Sequence, residues 1–416
     1  MPGARPLVIV GASYAGAQLA ASARELGFEA PIVMVGDELH APYQRPPLSK
    51  GLLTGKTTAD KLALRGADFY AQNGIEMRLG RRATFIDTVD RSVTLDDGSV
   101  LPWGWLALAT GARCRPLPVP GADLQGVLNL RTLDDAQRVV AACDRARNVV
   151  VIGGGFIGLE VASALRQRGA DVTVIESQPR LLARSFPPQM SEYLEAAHRA
   201  RGVTVACGRG VRALHGTDGA VDRVELDDGS NVPCDLVVLG IGVVPNSELA
   251  QAAGIACDNG ILTDAMGRTS APGVLAIGDV ANMALATPAG GPARMRLESI
   301  QAANEGARAA AAVLVGREQP FTAVPWFWSD QYELKFQMAG LALPGDRAVL
   351  RGDMATDRFS VFFLRDDLLV AAHSVNRPAE HMLARKLIAA GVRPDAHMLA
   401  DPLFDLKSLA LPVSNP

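Results

Sequence analysis

The chain has 416 residues, a net charge of −3, 20% charged and 48% hydrophobic side chains. That length exceeds one ordinary core, so two or three domains are expected, and the composition is that of a folded globular protein. The near-neutral balance excludes a global pull towards nucleic acid or an anionic membrane, and no segment reaches the roughly 18–20 apolar residues of a membrane span, so a cytoplasmic protein is expected.

The first element in chain order is a short apolar strand running into a glycine loop and an alanine-rich helix, Leu7-Val-Ile-Val-Gly11-Ala-Ser13-Tyr14-Ala15-Gly16. A second apolar strand, Ile32 to Val35, completes a βαβ unit, which implies a parallel sheet. Ser13 stands where the middle glycine of a G-x-G-x-x-G loop is expected, and Gly36 stands where a ribose-binding carboxylate belongs. Asp37, one residue on, is the candidate for that role. A hairpin signal follows at Leu95-Asp-Asp-Gly98-Ser99, then a returning strand that closes on Ala109-Thr110-Gly111.

The same design recurs. Val149-Val-Val-Ile-Gly153-Gly-Gly155-Phe156-Ile157-Gly158 carries all three glycines between strand and helix, and Val172 to Ile175 leads to Glu176. The first glycine makes the turn, the second lets a pyrophosphate reach the backbone, and the third lets helix and strand pack. Glu176 can accept hydrogen bonds from both ribose hydroxyls and would repel a 2′-phosphate, favouring NAD over NADP. The nearby Arg180 and Arg184 pull the other way. Leu226-Asp-Asp-Gly229-Ser230 and a strand ending in Gly240-Ile-Gly242 repeat the hairpin insert. Two modules of one plan suggest two dinucleotides bound side by side.

Further on, Val274-Leu-Ala-Ile-Gly278-Asp279 offers a close backbone approach at Gly278 and a carboxylate for a flavin's ribityl chain at Asp279. Aromatics gather at Trp326, Phe327, Trp328 and Tyr332. Strands over Phe359–Leu364 and Leu368–Ala372 and a helix over Ala379–Ala390 make 323–416 a third, α+β domain. The five cysteines, Cys114, Cys143, Cys207, Cys234 and Cys257, show no disulfide, zinc or dithiol spacing.

With these pieces placed, the chain resembles the FAD-dependent NADH:ferredoxin reductases over nearly its whole length. The most specific segment is Pro42-Tyr43-Gln44-Arg45-Pro46-Pro47-Leu48-Ser49-Lys50, similar to the family's loop beside the isoalloxazine ring. Further matches are Leu130-Arg131-Thr-Leu-Asp-Asp, Leu297-Glu298-Ser299-Ile300 and Pro325-Trp-Phe-Trp328-Ser-Asp330. The resemblance implies a glutathione-reductase-like α/β fold, with two Rossmann-type dinucleotide-binding domains plus an α+β C-terminal interface domain. It divides the chain into an FAD domain in two parts, 1–113 and 246–322, an NAD domain, 114–245, and an interface domain, 323–416.

It also implies FAD contacts from Asp37, Lys50, Ala83, Arg131, Asp279 and Ile300, within segments that add Arg45, Pro46, Glu298 and Ser299. Glu160 matches a carboxylate near the nicotinamide, although a first-turn glutamate favoured by the helix dipole would read the same way. Lys50 can stabilise electron density arriving at the flavin, and Trp328 can cover the ring or simply pack.

The function implied is electron transfer from NADH through FAD to a [2Fe-2S] ferredoxin serving a cytochrome P450 or a Rieske oxygenase. Two alternatives share the fold. A disulfide reductase or NADH oxidase needs a cysteine at the flavin face, and none precedes Cys114. An interaction module like apoptosis-inducing factor is not separated by motifs. Arg65, Arg294, Arg296 and Arg377 are candidates for a local basic patch that docks an acidic ferredoxin.

Overall fold

Strand runs buried on both faces require cover on both sides, and the alternating helices supply it. A computed structural model describes residues 5–285 and 294–410. The first parallel sheet has five strands in the order Val274–Ala276, Trp105–Leu108, Leu7–Val10, Ile32–Gly36 and Ile75–Leu79. The central strand Leu7–Val10 is buried along its length. A strand from residue 274 therefore completes a sheet begun at residue 7.

The second parallel sheet runs Thr204–Cys207, Asp171–Glu176, Asn148–Ile152, Leu236–Leu239 and Val127–Asn129. A two-stranded ribbon, Ala112–Cys114 against Val243–Pro245, pairs the chain where it leaves the first half with the chain where it returns.

Each half carries a three-stranded antiparallel insert, Ala83–Asp87/Ser92–Leu95/Val100–Pro102 and Val211–Thr217/Ala220–Leu226/Asn231–Pro233. The repeat extends to individual bonds. Gly98 and Gly229 adopt φ of +82° and +83°, which only glycine takes without strain. Leu95 N donates to Ser99 O and Leu226 N to Ser230 O, each at 2.9 Å.

The C-terminal region is an antiparallel sheet in the order Trp326–Gln331, Leu334–Gly340, Leu368–Val375, Arg358–Arg365 and Arg347–Asp353, covered by the helix Pro378–Ala389. The strand expected to stop at Ala372 continues through His373 and Ser374, both buried. Two polar residues break the apolar run that marks the strand in the sequence. Its core is continuous with that of the second half: Tyr43 and Leu48 from the first half, Leu159 and Val174 from the second, and Phe336 and Phe359 from the C-terminal sheet belong to one cluster.

Candidate functional site

The first glycine loop turns at Gly11, φ +124°, where a Cβ would lie 2.0 Å from Ala109 O; at Gly16 it would lie 2.1 Å from Gly11 O. Gly36 is equally constrained. Its Cβ would meet the Cβ of Ala12 at 2.6 Å, so the strand end next to the loop has no room for a carboxylate side chain. The carboxylates come next in sequence. Asp37 is exposed and pairs with Arg82 at 3.3 Å, while Glu38 binds Arg45 at 2.6 Å and accepts from the Tyr43 hydroxyl at 2.5 Å. Ser13 caps the helix Tyr14–Glu25 without a side-chain capping bond, and no acidic residue occupies the first turn. Its hydroxyl instead accepts from Arg45 Nε at 3.1 Å.

This loop opens on a cavity of about 540 Å³, within the range of cofactor pockets. Of the predicted positions, Gly11, Ser13, Tyr14, Ala15, Asp37, Arg45, Pro46, Lys50, Ala109, Thr110, Gly111, Arg131, Gly278, Asp279, Glu298, Ser299, Ile300 and Trp328 line it, joined by Ile157 and Glu160 from the second half. Arg131 and Asp279, distant in sequence, pair across it at 2.8 Å. The helix Ile300–Leu314 also begins at the cavity, capped by Ser299 and without an acidic first turn. Two uncompensated helix N-termini and the Arg45 and Arg131 guanidinium groups make a donor set that fits a diphosphate-bearing dinucleotide such as FAD.

The second loop fits a second dinucleotide. Gly153 and Gly158 are held by backbone contacts that a Cβ would invade at 2.4 and 2.1 Å. At Gly155 the nearest protein atom would lie 3.9 Å away, so open space flanks the middle glycine. Phe156 begins the helix Phe156–Gln167, again without an acidic first turn. Glu176 accepts from Gly154 N and from Gln178 N, both at 2.7 Å, which aims its carboxylate at the loop. Arg180 is committed to Phe186 O, Ala183 O and Ser191, whereas Arg184 is exposed. Gly242, φ +91°, lies beyond the strand Leu236–Leu239.

The two halves meet at Glu160. It sits past the first turn of its helix and is 4% exposed, so the helix dipole does not account for it. Lys50 Nζ lies 2.8 Å from Oε2, Ser49 Oγ donates to the same oxygen at 2.5 Å, and Ser329 Oγ donates to Oε1 at 2.6 Å. A buried carboxylate is tolerated because one ammonium and two hydroxyls compensate it. Phe327 and Trp328 line the cavity beside it, whereas Trp326 stacks behind Trp328 with ring centroids 5.5 Å apart.

Not every expected residue converges. Ala83 lies in the antiparallel insert and does not line the cavity; Gly16 packs behind Gly11. Of the four arginines expected as a basic patch, two are paired with carboxylates. Arg296 is bound to Glu298 and to Asp279 O, Arg377 to Glu380, and Arg294 to Thr263 O and Asn282 O, leaving Arg65 over the Phe69 ring. All five cysteines are free, and among the described residues no group of side chains suits a metal.

Glu38, Ser49, Asn246 and Ser329 are site residues that the sequence reading passed over. Glu38, Ser49 and Ser329 each adjoin a motif residue. Asn246, which exchanges bonds with Thr110 at 2.7 and 2.8 Å, carries no local signal.

Two nucleotide-cradling βαβ units, joined by an ion pair between Lys50 and Glu160, define a two-dinucleotide oxidoreductase. The chain belongs to the pyridine nucleotide-disulphide oxidoreductase family, whose model matches residues 5–307; the reductase C-terminal model matches residues 326–410. The family uses FAD and NAD(P)H. Rhodocoxin reductase of Rhodococcus erythropolis is 43% identical, covering 96% of this chain and 93% of the relative. The ferredoxin–NAD(+) reductase component of the anthranilate 1,2-dioxygenase system of Burkholderia cepacia is 44% identical, covering 97% and 99%. Among solved structures, the chain matches the covalent putidaredoxin reductase–putidaredoxin complex with a TM-score of 0.94 at 38% identity, covering 98% of each chain. No helix among the described residues is long and apolar enough to cross a membrane.

Proposed function

We propose that this chain is an NADH-dependent reductase that passes electrons through FAD to a [2Fe-2S] ferredoxin, which in turn serves a cytochrome P450 or a Rieske-type oxygenase. The observation that carries this reading is the Lys50–Glu160 pair at 2.8 Å, which joins the Pro46–Ser49 turn of the first half to the helix that follows the second glycine loop. Bound flavin supplies the conversion of an electron pair from reduced nicotinamide into single electrons. With flavin bound, Lys50 would offer its ammonium to negative charge on the ring; Glu160 holds that ammonium, and Phe327, Trp328 and Ile157 line the same cavity.

Thiol chemistry is not supported. The loop Pro46–Ser49 has no cysteine, and burial raises the thiol of Cys114, the one cysteine that lines the cavity, away from its reactive form. Glu176 supports NADH over NADPH. The unpaired cysteines suit the reducing cytoplasm, which we take as the working compartment. We also assign 1–113 and 246–322 to an FAD domain, 114–245 to an NAD domain and 323–416 to an interface domain, on the grounds of sheet membership.

Anaerobic mixing tests the reading. NADH is expected to bleach the visible flavin absorbance, and oxidised [2Fe-2S] ferredoxin is expected to restore it. Turnover of a disulfide or a peroxide, with none for any ferredoxin, would overturn it.

A further inference from the structure

The carboxylate of Glu160 is the end of a longer chain. Ser329 Oγ donates to Glu160 Oε1 at 2.6 Å and itself accepts from Gln331 Nε2 at 3.2 Å. The Gln331 carbonyl oxygen is then left to face His198 Nε2 at 2.8 Å. Because that oxygen can only accept, His198 must carry its proton on Nε2. Its Nδ1 is buried and meets no partner, as an unprotonated nitrogen in an apolar setting would. Burial brings the imidazole down to about 4, against a smaller upward pull from Gln331, so the ring is neutral at physiological pH. Every donor in the series therefore points the same way, from the helix Pro188–Ala200 through the strand Trp326–Gln331 to the helix Phe156–Gln167.

Ser329, Gln331 and His198 are all essentially inaccessible to solvent. Aligned hydrogen bonds polarise one another and are strongest where water cannot compete. The charged groups around the series are few. Lys50 faces Glu160, and Arg201, paired with Glu333, lies over Tyr332 beside His198.

We propose that Ser329, Gln331 and His198 are positioning residues: a one-way hydrogen-bond chain that starts at His198 and passes through the C-terminal sheet fixes the Glu160 carboxylate, which in turn fixes the Lys50 ammonium at the cavity. The inference rests on the function proposed above for Lys50 and Glu160. It assigns the C-terminal region a part in setting the charge at the site, beyond covering it.

The test compares wild type with Ser329→Ala, Ser329→Thr, Gln331→Met and the double variant Ser329→Ala/Gln331→Met. Ser329→Ala is expected to make the midpoint potential of the bound flavin more negative and to slow its reduction by NADH roughly tenfold, the scale of one charge-assisted hydrogen bond. Ser329→Thr is expected to restore both. Gln331→Met should act in the same direction more weakly, and the double variant should match Ser329→Ala, because Gln331 acts through Ser329. In the FAD-free chain, nitrogen NMR of the His198 ring should show a neutral imidazole protonated at Nε2, with that N–H signal shifted in Gln331→Met. Ser329→Ala with wild-type potential and rate, additive effects of the two changes, or a His198 ring charged at neutral pH would each overturn the chain. A wild-type protein that takes up FAD but is not reduced by NADH would instead overturn the function beneath it, and this inference with it.

Discussion

Arg45 donates to the hydroxyl of Ser13 at 3.1 Å, so the residue that breaks the glycine pattern of the first loop fastens a guanidinium to it. Arg45 is also held by Glu38 at 2.6 Å and by Arg131 O at 2.7 Å. Restoring the glycine should therefore loosen the site. Ser13→Gly is expected to weaken FAD binding several-fold, on the order of one hydrogen bond to a charged group, and Arg45→Ala more. Flavin fluorescence during titration of the apoprotein measures this; tighter binding by Ser13→Gly would refute the role given to Arg45.

Asp279 pairs with Arg131, and both side chains are less than a quarter exposed. Asp279→Ala removes an acceptor from the cavity and leaves a confined guanidinium without its partner. A loss of about 1.5–3 kcal/mol in FAD binding is expected, along with a lower melting temperature even without FAD. Calorimetry of apo and reconstituted protein separates the two effects.

For Glu176 the expected outcome is a preference for NADH over NADPH of tenfold or more in kcat/KM, from a carboxylate facing a 2′-phosphate. Glu176→Ala should narrow that gap mainly by harming NADH use, because the same carboxylate holds Gly154 N and Gln178 N. Equal kcat/KM for the two nucleotides in the wild type would refute the assignment.

Three buried imidazoles predict an acid-sensitive fold. Burial brings His198 to about 4, His373 to about 3 and His381 to about 4, from an ordinary 6.5. As pH falls below 6.5 the unfolded chain takes up protons that the folded chain refuses, so stability declines. The slope reaches up to about 1.4 kcal/mol per pH unit for each histidine, until the folded values are passed. Urea midpoints between pH 7 and 5, above the ordinary carboxylate range, should show the decline, and His373→Leu should make it shallower.

The fold was legible because its signals are local. Apolar runs ending in Gly11 and Gly153, and the paired Asp-Gly turns at Gly98 and Gly229, fix strand, loop and hairpin by backbone sterics alone. The cavity-lining residues were legible where they sit in motifs, as Lys50, Arg131 and Asp279 do. Asn246 and Gln331 were not, because their importance comes from partners such as Thr110 and His198 that only tertiary packing brings close. Two members of the arginine patch were misjudged for the same reason. Proximity in sequence to site motifs could not reveal that Arg296 and Arg377 already have carboxylate partners.

The core that runs from Leu48 through Leu159 to Phe359, with Tyr193 bonded to Asp357 at 2.6 Å across the same junction, joins all three regions through one shared apolar layer. Peeling off the C-terminal sheet would strip cover from the nucleotide halves, so heating should produce one endotherm, not three. The same continuity argues against large hinge closure as a step in turnover. Each nucleotide and each electron acceptor would then meet a surface already shaped for it, with traffic governed by arrival and departure.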